Sequence, residues 1–282
     1  MPVYNGERFL DQTIENLLTQ TFADFELIIS DNGSSDQTEQ ICRRRAQTDP
    51  RIRYIRHSTN RGAAFNWNFV ATEATGELFK WASDNDYYEP EFLETCVREL
   101  LARPDCVLCY TRTQLVTDEG EPLEIDSSDH PVLQDAPVDR FLFLMNHSGR
   151  NNAQAGVIRL ETLLETRMER HYPHGDKVLM AELALHGKFW LLDEPLFYRR
   201  WGPLSASTAA GDPTALAQFI DTSNTGRRLD TWARYSDLTV TAIRYPQPLR
   251  ARIRLLAAIA RHTLKKRRRL AKELRTYLLG FR

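Results

Sequence analysis

The feature that most constrains this chain is an alternation: short apolar runs take turns with stretches of helical period. FELIIS (25–30) stops at Asp31, IRYIR (52–56) follows, and ELFKWAS (77–83) runs into DNDYY. Runs this short and continuous suit strands buried on both faces, as in parallel sheets. Between them, Leu10, Ile14, Leu17 and Leu18 recur at helical spacing and predict a helix over 7–20. Ser34 with Gln37 has the form of a capping box, so a second helix is expected to start there. Residues 60–74 read as a loop turning into a helix that Gly76 stops. Pro90 opens a fourth helix, with Phe92, Leu93, Val97, Leu100 and Leu101 on its buried face. The expectation is an α/β fold with a mostly parallel, Rossmann-like sheet flanked by helices. Such sheets bind ligands at the carboxyl ends of their strands. Those ends hold Pro2–Asn5, Asp31–Asp36 and Asp84–Asp86.

Beyond Leu101 the pattern changes. CVLCY and RTQLVT read as strands, 121–137 as a surface loop, and QAGVIR (154–159) as a further strand. GDKVLMAELALHG (175–187) reads as a helix with Asp176 as its N-cap and Gly187 just past its end. KFWLLDEPLFYRRW is another strand and turn, and 203–243 is weakly patterned. From Pro246 onward, Leu249, Ile253, Leu256, Ala260 and Leu264 recur every three or four residues, with Arg and Lys filling the other side. This predicts a basic amphipathic helix or helix pair, and a division into 1–210 and a helical extension, 211–282. Charge follows the same division. Residues 244–282 hold ten Arg, three Lys and one Glu, a net of +12; with the chain at −1 overall, the rest carries −13. No apolar run reaches the ~18 residues of a membrane span. Glu7, Arg8, Asp11, Glu15, Asp24 and Glu26 argue against a signal peptide, so the cytoplasm is the expected compartment. Cys106 and Cys109 form a CxxC without a second pair, which reads as buried strand rather than zinc site.

Two clusters carry chemistry. In SDNDYY, Asp84 and Asp86 flank Asn85 at a strand end; carboxylates this close call for a cation, and oxygen ligands in an open site suit Mg²⁺ or Mn²⁺. A D-x-D alone is equally a solvated turn. In IISDNGSSDQT, Asp31 can accept hydrogen bonds from a base or ribose, or it can simply brace its turn. The chain has neither G-x-G-x-x-G nor a Walker A sequence, so phosphates need another holder, and a metal on Asp84 and Asp86 would serve.

Taken in order, PVYNGERFLDQTIENLLTQTFADFELIISDNGSSDQT, NRGAAFNWN, GELFKWASDND and GDKVLMAELALHGKFWLLDEPLFYRR resemble the family 2 glycosyltransferases of GT-A fold, over about residues 2 to 202. The resemblance implies transfer of a sugar from a nucleotide-diphosphate donor, a UDP-sugar first among them, to an acceptor hydroxyl, with inversion. It implies donor contacts at Pro2, Tyr4, Asn5, Asp31, Arg61, Asp84, Arg199 and Arg200, a metal on Asp84 and Asp86, and Asp176 as catalytic base. Asp176 is equally placed to cap its helix, or to do both. Glu182 is read as structural or acceptor-side.

Two departures stand out: Asn85 separates the aspartates, and Trp201 and Gly202 stand where many relatives place a histidine after the arginine pair. They keep open a catalytically weak nucleotide-sugar binder and, less favoured, a nucleotidyltransferase. The expected acceptor is a saccharide or a lipid-linked molecule in glycan or polysaccharide synthesis. The tail, 246–282, would lie against an anionic membrane at the inner face or pack on the catalytic domain; too few aromatics interleave its charges for nucleic acid. The resemblance also implies a strand running into PVYN. The first strand therefore reads as truncated, and Met1 as an internal or misassigned start.

Overall fold

A computed structural model describes residues 1–147, 149–202, 216, 219–222 and 229–279. Its first half follows the expected alternation: β1 (Pro2–Val3), α1 (Leu10–Leu18), β2 (Leu27–Asp31), α2 (Thr38–Thr48), β3 (Ile52–Arg56), α3 (Ala63–Thr72), β4 (Leu78–Phe79), β5 (Tyr87–Tyr88) and α4 (Phe92–Leu101). The second half contains β6 (Cys106–Val116), β7 (Pro122–Ile125), α5 (Pro137–His147), a 3₁₀ turn (Asn152–Ala155), β8 (Val157–Arg159), α6 (Leu160–Glu165), α7 (Gly175–His186) and β9 (Lys188–Arg200). Three helices follow: α8 (Asp230–Arg244), α9 (Leu249–Lys265) and α10 (Arg267–Leu279).

The strands form two sheets. One is parallel, in the order β1-β2-β3; the other has six strands, runs β4-β8-β6-β9-β5 with β7 beside β6, and is mixed. Its long axis is the parallel pair β6 and β9, while β8, β7 and β5 join antiparallel. The separation has a local cause. β1 pairs with β2 only at Pro2↔Ser30 and Val3↔Asp31, whereas β3 runs along all of β2. Among the described residues no strand continues the other edge of β2 beyond Met1, and a groove of about 960 Å³ is lined by Glu26–Ile28 and Glu77–Lys80. Leu17 of α1, Val70 of α3 and Leu93 and Val97 of α4 roof it. At its end the Met1 amine donates to the Ile28 carbonyl at 2.7 Å, and burial pushes this amine down to about 5.

Two apolar clusters cover opposite faces. One packs α1, α2 and α4 on the first sheet and on Cys106 and Cys109; the other packs α3, α5 and α7 against Val107, Leu108 and Tyr110. β6 thus serves both faces, and Val107 and Leu108 share one of them at the register shift between Cys106 and Leu108. All four cysteines are free and buried.

Several local expectations give way to tertiary context. CVLCY and RTQLVT are one strand, because β6 pairs with β9 across its whole length, with register shifts at Cys106/Leu108 and Thr111/Thr113. The 121–137 stretch is not all loop: it holds β7, and Val132 bridges Phe189. α2 begins at Thr38 instead of Ser34, because the Ser34 hydroxyl is used elsewhere, as described below. The tail is a helix pair whose first member shares the main core: Leu255 and Ile259 of α9 and Leu238 and Ala242 of α8 join the cluster around α5 and α7. The boundary expected at 210 falls outside the described residues.

Candidate functional site

The site begins with a loop stitched to its neighbour. Asn5 takes a left-handed backbone with φ of 52°, a conformation Asn tolerates better than most residues. Its N–H donates to Ser34 Oγ at 2.9 Å, and its side-chain oxygen accepts the Ser35 N–H at 2.9 Å. Gly6 N–H donates to Thr38 Oγ1 and Glu7 N–H to Asp36 Oδ2, while Glu7 accepts the Gln37 N–H in return. These bonds hold Pro2–Gly6 over the start of α2 and supply partners to amides that would otherwise be unmet. Asn66 fastens the other side by donating to the Ser30 and Val3 carbonyls.

The loop forms one wall of a pocket of about 380 Å³. Pro2, Tyr4, Asn5, Gly6, Asn32, Asn60 and Trp67 line it, together with Ser83, Asp84 and Asn85. Of the residues the sequence singled out, the structure gathers Pro2, Tyr4, Asn5 and Asp84 here. Arg61 sits beside it, with its N–H on Asn32 Oδ1 and its guanidinium 3.5 Å over the Phe65 ring. Asp31 does not line the pocket. Its carboxylate is 0% exposed and accepts from the Ser34 N–H and the Tyr54 hydroxyl, with Arg56 at 3.3 Å. That is the bracing role the sequence left open.

Asp84 and Asp86 emerge from the turn between β4 and β5, and their carbonyls accept the Thr13 hydroxyl. Asp84 is half-buried on the pocket, and burial pushes its carboxyl up to about 7, with Asp86 and Asp36 adding repulsion. Asp86 is buried; burial raises its carboxyl, while Arg199 and the Arg200 N–H pull it down. Arg200, 8% exposed, clamps the turn from behind: it donates to the Asn85 and Asp118 carbonyls and lies 4.4 Å over the Phe9 ring. Among the described residues no three His, Cys, Asp or Glu side chains stand together as a metal cage. One or two carboxylates completed by donor phosphates are nonetheless the usual holder for Mg²⁺; Asp84 lines the pocket as such a ligand would, while Asp86 is buried behind it and is not among the lining residues.

Asp176 does not line the pocket either. It lies in the first turn of α7, one residue inside the helix: His174 is the N-cap, left-handed at φ 69°, and Gly175 comes first. A carboxylate there still meets the positive end of the helix dipole. Asp176 Oδ2 accepts a 2.8 Å bond from Asn151, while Arg199 donates to Asn152 Oδ1 at 2.6 Å and to the Arg150 carbonyl at 3.0 Å. Residues 150–152 therefore link Asp176 to the arginine beside Asp86. Sequence reasoning missed them, because GRNN follows no period and belongs to no motif. Glu182 is buried among the α7 core residues, near Arg167 and Arg170.

Residues 1–139 match the family model described as Glycosyl transferase family 2. Chondroitin synthase of Pasteurella multocida is 29% identical over 120 residues, 43% of this chain and 12% of that protein. The putative teichuronic acid biosynthesis glycosyltransferase TuaG of Bacillus subtilis is 28% identical over 123 residues, 44% of this chain and 48% of that one. The chain thus spans under half the length of these relatives. Among solved structures, S. aureus TarS 1–349 in complex with UDP-GlcNAc superposes with a TM-score of 0.67 at 16% identity, covering 92% of this chain and 70% of that one. The mannosyltransferase PcManGT of Pyrobaculum calidifontis, in complex with GDP-Man and Mn²⁺, does so at 0.53 and 17%, covering 99% and 83%. Residues 1–139 thus form a glycosyl transferase family 2 domain, and the chain is built on a GT-A fold.

Proposed function

We propose that this chain moves a sugar from a nucleoside-diphosphate sugar, a UDP-sugar first among candidates, to an acceptor hydroxyl with inversion, in glycan or cell-surface polysaccharide synthesis. One juxtaposition carries the reading: a polar loop at the strand ends, with Asn32 and Asn60 beside it, lines a single pocket together with Asp84 and Asn85. The amide nitrogens of Asn5 and Asn60 offer donors for a base and ribose, held in place as Asn32 donates to Asn60 Oδ1 and the Gly62 carbonyl, and Tyr4 and Trp67 add aromatic surface. Mn²⁺ or Mg²⁺ on Asp84, with Asp86 beside it, would offset the charge building on the departing diphosphate. Arg199 adds positive charge on that side, and Arg200 holds the turn in shape. Asp176 accepts the proton of the attacking hydroxyl. One inversion needs one base and no covalent intermediate.

The experiment is a panel of nucleotide sugars with Mn²⁺ and simple saccharide acceptors, read as free nucleoside diphosphate. Release that Asp176→Asn abolishes without loss of donor binding is the expected result; unchanged turnover would remove Asp176 as base. Asp31 is buried on Ser34, Tyr54 and Arg56 and Asp86 Oδ1 is tied to Arg200, which favours a weak binder as the second reading. Binding without turnover across the panel would select it. Pyrophosphate chemistry would instead indicate nucleotidyl transfer.

The acceptor side extends the proposal to an anionic membrane. On α9, Leu249, Ile253 and Leu264 are exposed, Leu249 at 69%, and exposed Arg250, Arg254 and Arg261 accompany them. No described helix is long and apolar enough to cross a membrane. An apolar stripe with basic flanks suits the surface of one, where a lipid-linked acceptor would be presented. Binding to phosphatidylserine vesicles that weakens with salt is expected; no binding at low salt would rule the membrane out.

A further inference from the structure

The turn at 150–152 is built more firmly than a connecting loop needs to be. Asn152 Nδ2 donates to Asp126 Oδ2 at 2.8 Å and to Asp129 Oδ1 at 2.9 Å, and both carboxylates are buried. Arg150 pairs with Asp126 at 3.1 Å, and its N–H reaches Ser128 Oγ at 3.2 Å. Asn151, between them, is left-handed at φ 60° and ψ 37°. That backbone is strained for most residues and is best tolerated by Gly, Asn and Asp. The anchored turn aims the Asn151 amide at Asp176. A carboxylate only accepts, so the nitrogen must face it, and the same nitrogen reaches Gln154 Oε1 at 3.3 Å.

We propose that Asn151 is the positioning residue of the base Asp176, set in place by the same turn that holds Arg199 through Asn152. This rests on the transfer reading above. The bond fixes one carboxylate oxygen and so sets the direction from which the other can take a proton. Because Asn152 Oδ1 also accepts from Arg199, the proton-accepting side and the phosphate side share one rigid mount. Glu169, His174 and Lys177 also bear electrostatically on Asp176. Burial raises Glu169, with Asp176 adding repulsion, and lowers His174 and Lys177, with Asp176 opposing.

Asn151→Gly tests the side chain alone, since glycine keeps the left-handed backbone and removes the amide. Using the active donor of the panel, kcat is expected to fall about tenfold, within the range of a disturbed general base, while donor KM stays put. Asn151→Asp, equal in size and equally at ease left-handed, places a like charge against Asp176 and should lower kcat further, again with donor KM unchanged. It also gives an independent result should the glycine variant not fold. Wild-type kcat in these variants, or a loss shared equally by kcat and donor KM, with Asp176→Asn inactive, would overturn the positioning role alone. An active Asp176→Asn would remove Asp176 as base, and binding without turnover by the wild type across the panel would overturn the transfer reading itself.

Discussion

At the scale of single residues, the acidic turn is held by close approach. A methyl group on Gly6 would meet Asp84 Oδ2 at 2.5 Å and Val3 Cγ2 at 2.8 Å. Gly6→Ala should therefore push Asp84 out of place and weaken Mn²⁺-dependent donor binding about tenfold, or ~1.4 kcal/mol, by calorimetry. Unchanged binding would mean that the position of Asp84 is irrelevant. Lys80 supplies a pH effect. Its ammonium donates to the Trp81 and Ala155 carbonyls and lies 3.9 Å over the Tyr88 ring, and burial lowers it to about 7. The unfolded chain takes this proton at higher pH than the folded one does. Stability should consequently fall as pH drops from about 10 to about 7 and then level off. Denaturant titrations at intervals across that range should show the slope in the wild type and a smaller one in Lys80→Met. The aspartates at the strand ends were legible in the sequence because strand ends are where such sheets bind. That Asp31 braces instead of lining the pocket was not legible, since its partners Tyr54 and Arg56 come from the next strand.

At the scale of elements, α9 shows how far periodicity reaches. The sequence placed an apolar face on Leu249, Ile253, Leu256, Ala260 and Leu264, yet the helix buries Leu255, Ala258 and Ile259. Both sets recur at helical spacing, and nothing local says which one meets the core. The two faces separate two effects. Leu255→Ala should cost about 2–4 kcal/mol by denaturant titration, as core truncations do. Leu249→Ser with Ile253→Ser should leave stability within about 0.5 kcal/mol, as surface changes do, yet weaken vesicle binding. Equal losses of stability from both would mean that α9 has no free face. The strands teach the converse. β6 and β9 support each other across the sheet, so breaks that looked real in one dimension vanish in three.

At the scale of the molecule, the acidic body and basic tail seen in the sequence coexist with a shared core, because most charges of α9 are exposed and Arg254 pairs with Asp139 of α5 at 2.6 Å. The α/β alternation and the position of the site at the strand ends were legible from the start. The division into two sheets was not, since pairing depends on which strands lie side by side. The groove along β2 is the clearest result of that division. An apolar strand of about five residues joined ahead of Met1 should fill it, continue the ladder begun by the Met1 amine, and raise Tm by at least about 3 °C over a Gly-Ser extension of equal length. Equal midpoints would show that the groove does not take a strand. Open β edges are usually indiscriminate, and one chain after another can add to them. This edge is walled by β4 and roofed by α1, α3 and α4, so it has room for a single segment and should saturate at one per molecule.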